Sequence, residues 1–249
     1  MAKYRAVLFD LFGTIALIDP EKLPLFEWAG TTTRSTTAAL KRLYEDANTG
    51  IPFAEFVNAL DTVLREQWQR REHHLREVAC VTRFTRTLVR AGLTDSLSAS
   101  TLAEKLSREH NAALIRATEI SREHANFIER AARKYQLGLV SNFDDASTAY
   151  ALLRAAGIER HFQCVTISVE QGWRKPDVRI FRDTLAGLGV EASEALFVGD
   201  AAVEDVAGAK RAGMDVAWIN PSGLAVPPAI PRPDFNMPSL LALERVLLE

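Results

Sequence analysis

Five side chains in this sequence are of types that one reaction could share: the carboxyls of Asp10, Asp200 and Asp205, the hydroxyl of Ser141 and the ammonium of Lys175. Each stands where a short apolar run stops. Asp10 ends "AVLFD", Ser141 and Asn142 end "LGLVSN", Lys175 follows "CVTISV", and Asp200 ends "ALFVGD" with Asp205 one turn further on. A carboxylate able to attack, a hydroxyl beside backbone amides, a lysine and an acid pair suit a phosphate together with a divalent cation. The amides and Lys175 neutralise phosphoryl oxygens, while Asp10 and Asp200 offer hard oxygen ligands to Mg²⁺. Each residue alone also has a plainer use: Asp10 or Asp200 as a helix cap, Ser141–Asn142 as a turn, Lys175–Pro176 as a loop. Together, at successive strand ends, they are not independent accidents.

Those positions require an open parallel sheet, in which ligands bind outside the carboxyl ends of the strands. The runs "AVLFDLF", "LGLVSNF", "CVTISV", "ALFVGDA" and "DVAWIN" are rich in Val, Leu and Phe and read as strands buried on both faces. Helical patterns separate the last four: "DASTAYALLRAAGI", "PDVRIFRDTLAGLGV" and "AVEDVAGAKRAGM", stopped by Gly157, Gly189 and Gly213. Strands alternating with helices predict an α/β fold with a doubly wound parallel sheet.

From about Leu17 to about Thr118 only helical periodicity is expected. Phe53, Phe56, Val57, Leu60, Val63 and Leu64 follow the helical repeat, and further helices are predicted over 36–47 and 101–115. A block of about a hundred residues is too long for a crossover and too regular for a loop. It predicts an inserted helical cap domain, residues 17–117, with residues 1–16 and 118–249 forming the core. The tail "NPSGLAVPPAIPRPDFNMP" reads as a proline-rich connection to a short terminal helix, "SLLALERVLL".

At 249 residues and 47% hydrophobic content the chain can bury a large core. A net charge of -2 and a pI near 6.2 give no basic field for nucleic acid, so a small molecule is the expected partner. Cys80 and Cys164 lie far apart without metal-ligand spacing and are expected as buried thiols in a reducing compartment. The first apolar run is too short for a signal peptide and no stretch is apolar enough to span a bilayer. A cytoplasmic protein without membrane partners is the expectation, as monomer or homodimer.

In order, "FDLFGTI", "LVSN", "KPDVRIF" and "VGDAAVEDVAGAKRAGM" resemble the four motifs of the haloacid dehalogenase-like (HAD) hydrolase superfamily. The helical insert falls where that superfamily carries its C1 cap, and the resemblance covers essentially the whole chain. It implies a Rossmann-like core with Asp10 as a nucleophile that forms a covalent aspartyl intermediate. Ser141 and Lys175 would hold the transferring group, with Asn142 beside them at the substrate and Thr14 supporting the first loop. Asp200 would bind Mg²⁺ with Asp10, with Asp205 in support and with the backbone carbonyl of Phe12.

Phe12 departs from the phosphatase pattern. Most family phosphatases carry a second aspartate there, which protonates the leaving oxygen and later activates the attacking water. Phenylalanine does neither, and turnover of alkyl phosphates should suffer by about 10² to 10⁴. An aromatic residue at this position resembles the 2-haloacid dehalogenases of the same superfamily, whose halide leaves without a proton. Those enzymes work without metal and lack the acid that Asp200 provides. The acid cluster decides the ranking, because Asp10, Asp200 and Asp205 held together without a cation would repel one another. The expected function is Mg²⁺-dependent hydrolysis of a small phosphorylated metabolite with a good leaving group. Dehalogenation of a short 2-haloacid comes second, and a catalytically impaired binding or regulatory protein third. His73 and His74 are candidates for a proton supplied from the cap, and Arg65, Arg70, Arg71 and Arg76 for contacts with an anion. A solvated helix face interleaved with Glu66, Glu72 and Glu77 is the plainer reading of all of them. Trp173 either lines the cleft or plugs the core.

Overall fold

A computed structural model describes residues 3–249, the side chains of residues 71–73 excepted. The chain divides into two compact units: residues 1–17 with 120–249, and residues 18–119. In chain order the strands are β1 (Ala6–Phe9), β2 (Leu17–Ile18), β3 (Leu25–Trp28), β4 (Thr31–Arg34), β5 (Thr118–Glu119), β6 (Gln136–Ser141), β7 (Cys164–Ile167), β8 (Ala195–Gly199), β9 (Asp215–Ile219) and β10 (Phe235–Met237). The helices are α1 (Thr36–Asp46), α2 (Phe53–His73), α3 (Cys80–Ala91), α4 (Ser96–Arg116), α5 (Arg122–Ala132), α6 (Ala146–Ala155), α7 (Ser168–Gln171), α8 (Val178–Leu188), α9 (Gly208–Arg211) and α10 (Glu244–Leu247).

The first unit is built on a six-stranded sheet in the order β10-β9-β8-β1-β6-β7, every pairing parallel. Side chains alternate across it. Val7 and Phe9 of β1 enter one cluster with Leu139 and Val198, and Ala6 and Leu8 enter another with Val140 and Phe197. Helices α5 and α6 cover the first face through Phe127, Ile128 and Leu153, while α8 covers the second through Ile180, Phe181 and Leu185. Burial on both faces explains why these strands read as continuous apolar runs, without a polar alternation.

The strand β10 corrects the expectation of an irregular tail. It sits inside the proline-rich stretch and is held by parallel pairing with β9, and the Asp234 carboxylate before it accepts from the backbone N–H of Val216 at 2.7 Å. Cys164 is partly exposed, not buried, because it opens the edge strand β7; Cys80 is buried as expected. No helix among the described residues is long and apolar enough to cross a membrane.

The second unit packs α1 to α4 around Leu40, Tyr44, Phe56, Leu60, Phe84, Leu88 and Leu106. The Phe56 ring lies 4.6 Å from that of Tyr44 and 6.4 Å from that of Phe84, centroid to centroid. Here the expectation of helices alone fails. Strands β3 and β4 form an antiparallel hairpin whose turn places Ala29 at φ 50° and Gly30 at φ 78°. Helix α4 starts five residues before the expected Thr101, because the Asp95 side chain caps it by accepting from Ser98 N at 2.8 Å. Arg65 pairs with Asp61 at 2.7 Å along α2, and Glu66 of α2 pairs with Arg90 of α3 at 2.5 Å. His74 is exposed just past the end of α2, and the side chains of His73, Arg71 and Glu72 lie outside the described residues.

Candidate active site

Asp10 follows β1 directly, and its backbone N–H donates to Val198 O at 2.9 Å, so the sheet itself fixes where the carboxylate emerges. The chain then turns at once. Ile15 N and Ala16 N both donate to Leu11 O, at 2.9 and 2.8 Å, and Gly13 takes φ 89°. A Cβ on Gly13 would lie 2.4 Å from Asp200 Oδ2, so the loop after β1 can touch the acid after β8 only because residue 13 has no side chain. Gly13→Ala is therefore expected to cost roughly 1–2 kcal/mol in backbone strain alone. Displacement of Asp200 adds to that. Urea unfolding of the variant measures it, and an unchanged midpoint would mean the loop has room that these contacts deny.

Asp200 is held from two sides. Thr14 Oγ1 donates to its Oδ1 at 3.4 Å, and the indole N–H of Trp218 on β9 donates to its backbone carbonyl at 2.8 Å. Asp205, fully buried, accepts from Ala201 N at 2.9 Å. Gly199 makes room for it, since a Cβ there would lie 2.4 Å from the Asp205 carboxyl carbon. Between the acids lies Lys175, 2% exposed, with Nζ 2.5 Å from Asp10 Oδ1 and 2.7 Å from Asp205 Oδ1. Its backbone is fixed by Asn142, which accepts from Lys175 N at 2.7 Å and donates to Lys175 O at 3.0 Å. Asn142 thus spends its amide on positioning the lysine. The Ser141 hydroxyl is buried without a hydrogen-bond partner among the described residues, at the mouth of β6. Ser168 shapes the adjoining turn, accepting from Phe143 N at 2.9 Å.

The electrostatics follow from this packing. Asp10, Asp200 and Asp205 can each place an oxygen within 4.8 Å of the others, a grouping able to hold a metal ion. Burial pushes the Asp10 carboxyl up to about 7; Lys175 pulls against that shift, while Asp205 and Asp200 add to it. Asp200 is raised for the same reason, burial first and Asp205 second. Burial alone would lower Lys175, but Asp10 and Asp205 outweigh it and hold the ammonium charged.

Phe12 carries no acid into this constellation. Its ring packs on Phe143, 4.6 Å between centroids, against the cluster beneath β1 and β6. Trp173 is half-buried and lies under the guanidinium of Arg179, 3.1 Å from its carbon to the ring centroid. Sequence reasoning missed Trp218 and Ser168. The signal for Trp218 was a tryptophan in a fully buried strand, whose N–H must find a partner.

The geometry has counterparts. A family model described as haloacid dehalogenase-like hydrolase matches residues 4–213. "Haloacid dehalogenase-like hydrolase domain-containing protein 3" of Bos taurus is 33% identical over 159 residues, 62% of this chain and 61% of that protein. A phosphoserine phosphatase of Thermus thermophilus is 46% identical over 68 residues, 27% of each chain. The chain thus spans under two thirds of these curated relatives. Among solved structures, a 2-haloacid dehalogenase from Pseudomonas syringae pv. Tomato DC3000 superposes with a TM-score of 0.75 at 26% identity, covering 98% of both chains. The HAD-hydrolase YfnB of Bacillus subtilis, in a structure bound to magnesium, gives a TM-score of 0.63 at 24% identity, covering 98% of this chain and 99% of its own. Phosphatases and dehalogenases alike share this frame, and the match across most of its length makes the chain a member of the haloacid dehalogenase-like hydrolases.

Proposed function

We propose that this hydrolase is a Mg²⁺-dependent phosphohydrolase that acts on a small phosphorylated metabolite, with Asp10 as nucleophile. One observation carries the reading: three carboxylates converge within 4.8 Å, and among the described residues only Lys175 balances them. Such a cluster is costly unless a cation joins it, and hard carboxylate oxygens suit Mg²⁺. The partnerless Ser141 hydroxyl fits the other half of the site, as a donor awaiting an oxyanion. Asp10, Asp200 and Asp205, with the Phe12 carbonyl, would hold the ion, which when bound supplies fixed positive charge beside the phosphoryl oxygens.

The rest falls to the chain's own residues. An Asp10 oxygen attacks phosphorus, and the bond from phosphorus to the leaving oxygen breaks with its electrons. Ser141 donates to a phosphoryl oxygen, and Lys175 favours the ionised form of Asp10 against its burial and aims it. Water then attacks the aspartyl phosphate, releasing phosphate and restoring the carboxylate. With phenylalanine at position 12, the leaving oxygen departs unprotonated. Acyl and aryl phosphates tolerate that, and alkyl phosphates do not.

A second reading, dehalogenation of a short 2-haloacid, is favoured by the same Phe12 and by the likeness to the Pseudomonas syringae enzyme. Turnover of p-nitrophenyl phosphate, acetyl phosphate, glycerol phosphate and 2-chloropropionate, with Mg²⁺ and with EDTA, separates the two. We expect Mg²⁺-dependent phosphate release from the first two, with glycerol phosphate slower by about 10² to 10⁴. Chloride release in EDTA would replace this reading with the second. Stabilisation by ligand without turnover would indicate a binding protein.

A further inference from the structure

Helices α2 and α3 flank a cleft of about 560 Å³ in the second unit, lined by Val63, Glu66, Gln67, Arg70, Arg86 and Arg90 among others. A smaller hollow of about 210 Å³ shares Gln67, Arg70 and Arg86 with it. Within the cleft Arg90 is neutralised by Glu66 at 2.5 Å, and outside it Arg65 pairs with Asp61 at 2.7 Å. Arg70 and Arg86 have no ion-pair or hydrogen-bond partner among the described residues, yet they line the same two hollows. Gln67 stands with them. It is only 7% exposed, it lines both hollows, and its amide makes no hydrogen bond among the described residues.

Two guanidiniums without a partner among the described residues line the same hollows as a largely buried amide that makes no hydrogen bond there, an arrangement that lacks its counter-ion. We propose that the α2–α3 cleft binds a small phosphate-bearing anion of at least two negative charges. Arg70 and Arg86 take its oxygens with their planar donor forks, the Gln67 amide donates a further hydrogen bond, and Val63 and Val89 offer apolar wall to its carbon skeleton. A cleft of this size suits a metabolite and not a macromolecule. The proposal does not depend on the chemistry at Asp10.

Calorimetric titration of inorganic pyrophosphate tests it, on metal-stripped protein dialysed free of chelator at pH 8 and low ionic strength. Without a cation, the three carboxylates beside Lys175 repel the probe, so the heat reports the cleft. One site per chain is expected, weakened at least about tenfold in the Arg70→Ala, Arg86→Ala double variant, and less by Gln67→Leu. Arg65→Ala, which removes a charge from the same helix outside the cleft, should bind as wild type does. Arg70 and Arg86 are exposed, so their truncation should leave the helical circular dichroism unchanged. Absence of binding, undiminished binding by the double variant, or an equal loss in Arg65→Ala would each overturn the proposal.

Discussion

Replacing Asp10 with asparagine is expected to lower turnover of p-nitrophenyl phosphate by at least about 10⁴-fold while leaving the protein folded. The amide has nearly the shape of the carboxylate but no anionic oxygen to attack phosphorus. Stability should move the other way. The Asp10 carboxyl titrates at about 7 in the folded protein because burial outweighs Lys175, whereas an unfolded aspartate titrates near ~3.9. A raised carboxyl disfavours the folded state increasingly as pH climbs from the lower value to the higher. The metal-free variant should therefore gain on wild type between pH 5 and pH 8, with Asp205 still present to hold Lys175. Urea midpoints at the two pH values measure the gap. Surviving activity would remove Asp10 from its role, and a gap that shrinks with pH would mean its carboxyl is not raised.

Lys175→Met has the second largest expected effect, and on both properties. Loss of the ammonium leaves Asp10 and Asp205 buried without their shared cation, a change of the kind that costs about 3–5 kcal/mol. The carboxylates can escape by taking up protons, so the deficit should be greater at pH 8 than at pH 5. Added Mg²⁺ should recover part of it, because the ion supplies the charge that the lysine gave. Activity should nevertheless fall, by about 10³-fold or more, since nothing then aims Asp10. Equal deficits at both pH values would show that the lysine contributes packing and not charge.

Much of this arrangement was legible in the sequence because the sheet is buried on both faces. Each strand that leads to a candidate residue is a predominantly apolar run, and the candidate residue stands at its end or soon beyond. The elements that escaped lack such a signature. Strand β10 is three residues long and gets its order from β9. The β3–β4 hairpin turns through an alanine at positive φ, where glycine or asparagine would have announced it. Helix α4 begins among serines that read as a loop until Asp95 is seen to cap them. Within the site, the acids and Lys175 could be named from type and position. The service of Asn142 to the Lys175 backbone could not, nor could the bond from Trp218 to Asp200, because both depend on which loops the fold brings together.

The place of β1 in the sheet bears on how the chain is made. It lies between β6 and β8, so its first partner begins at Gln136 and its second at Ala195, although β1 itself is complete at Phe9. On a ribosome adding about 5–20 residues per second, the strand waits roughly 10 to 40 s before both edges can be filled. For that interval "AVLF" has at least one open edge, the one that β8 later fills, while residues 18–119 emerge with a core of their own. Long-range parallel pairing is slow to form, and a strand left open meanwhile is a template for wrong partners. The yield of folded protein is therefore expected to depend on how well this first strand is shielded during synthesis, because Asp200 and Asp205, which complete the site, emerge only after β8.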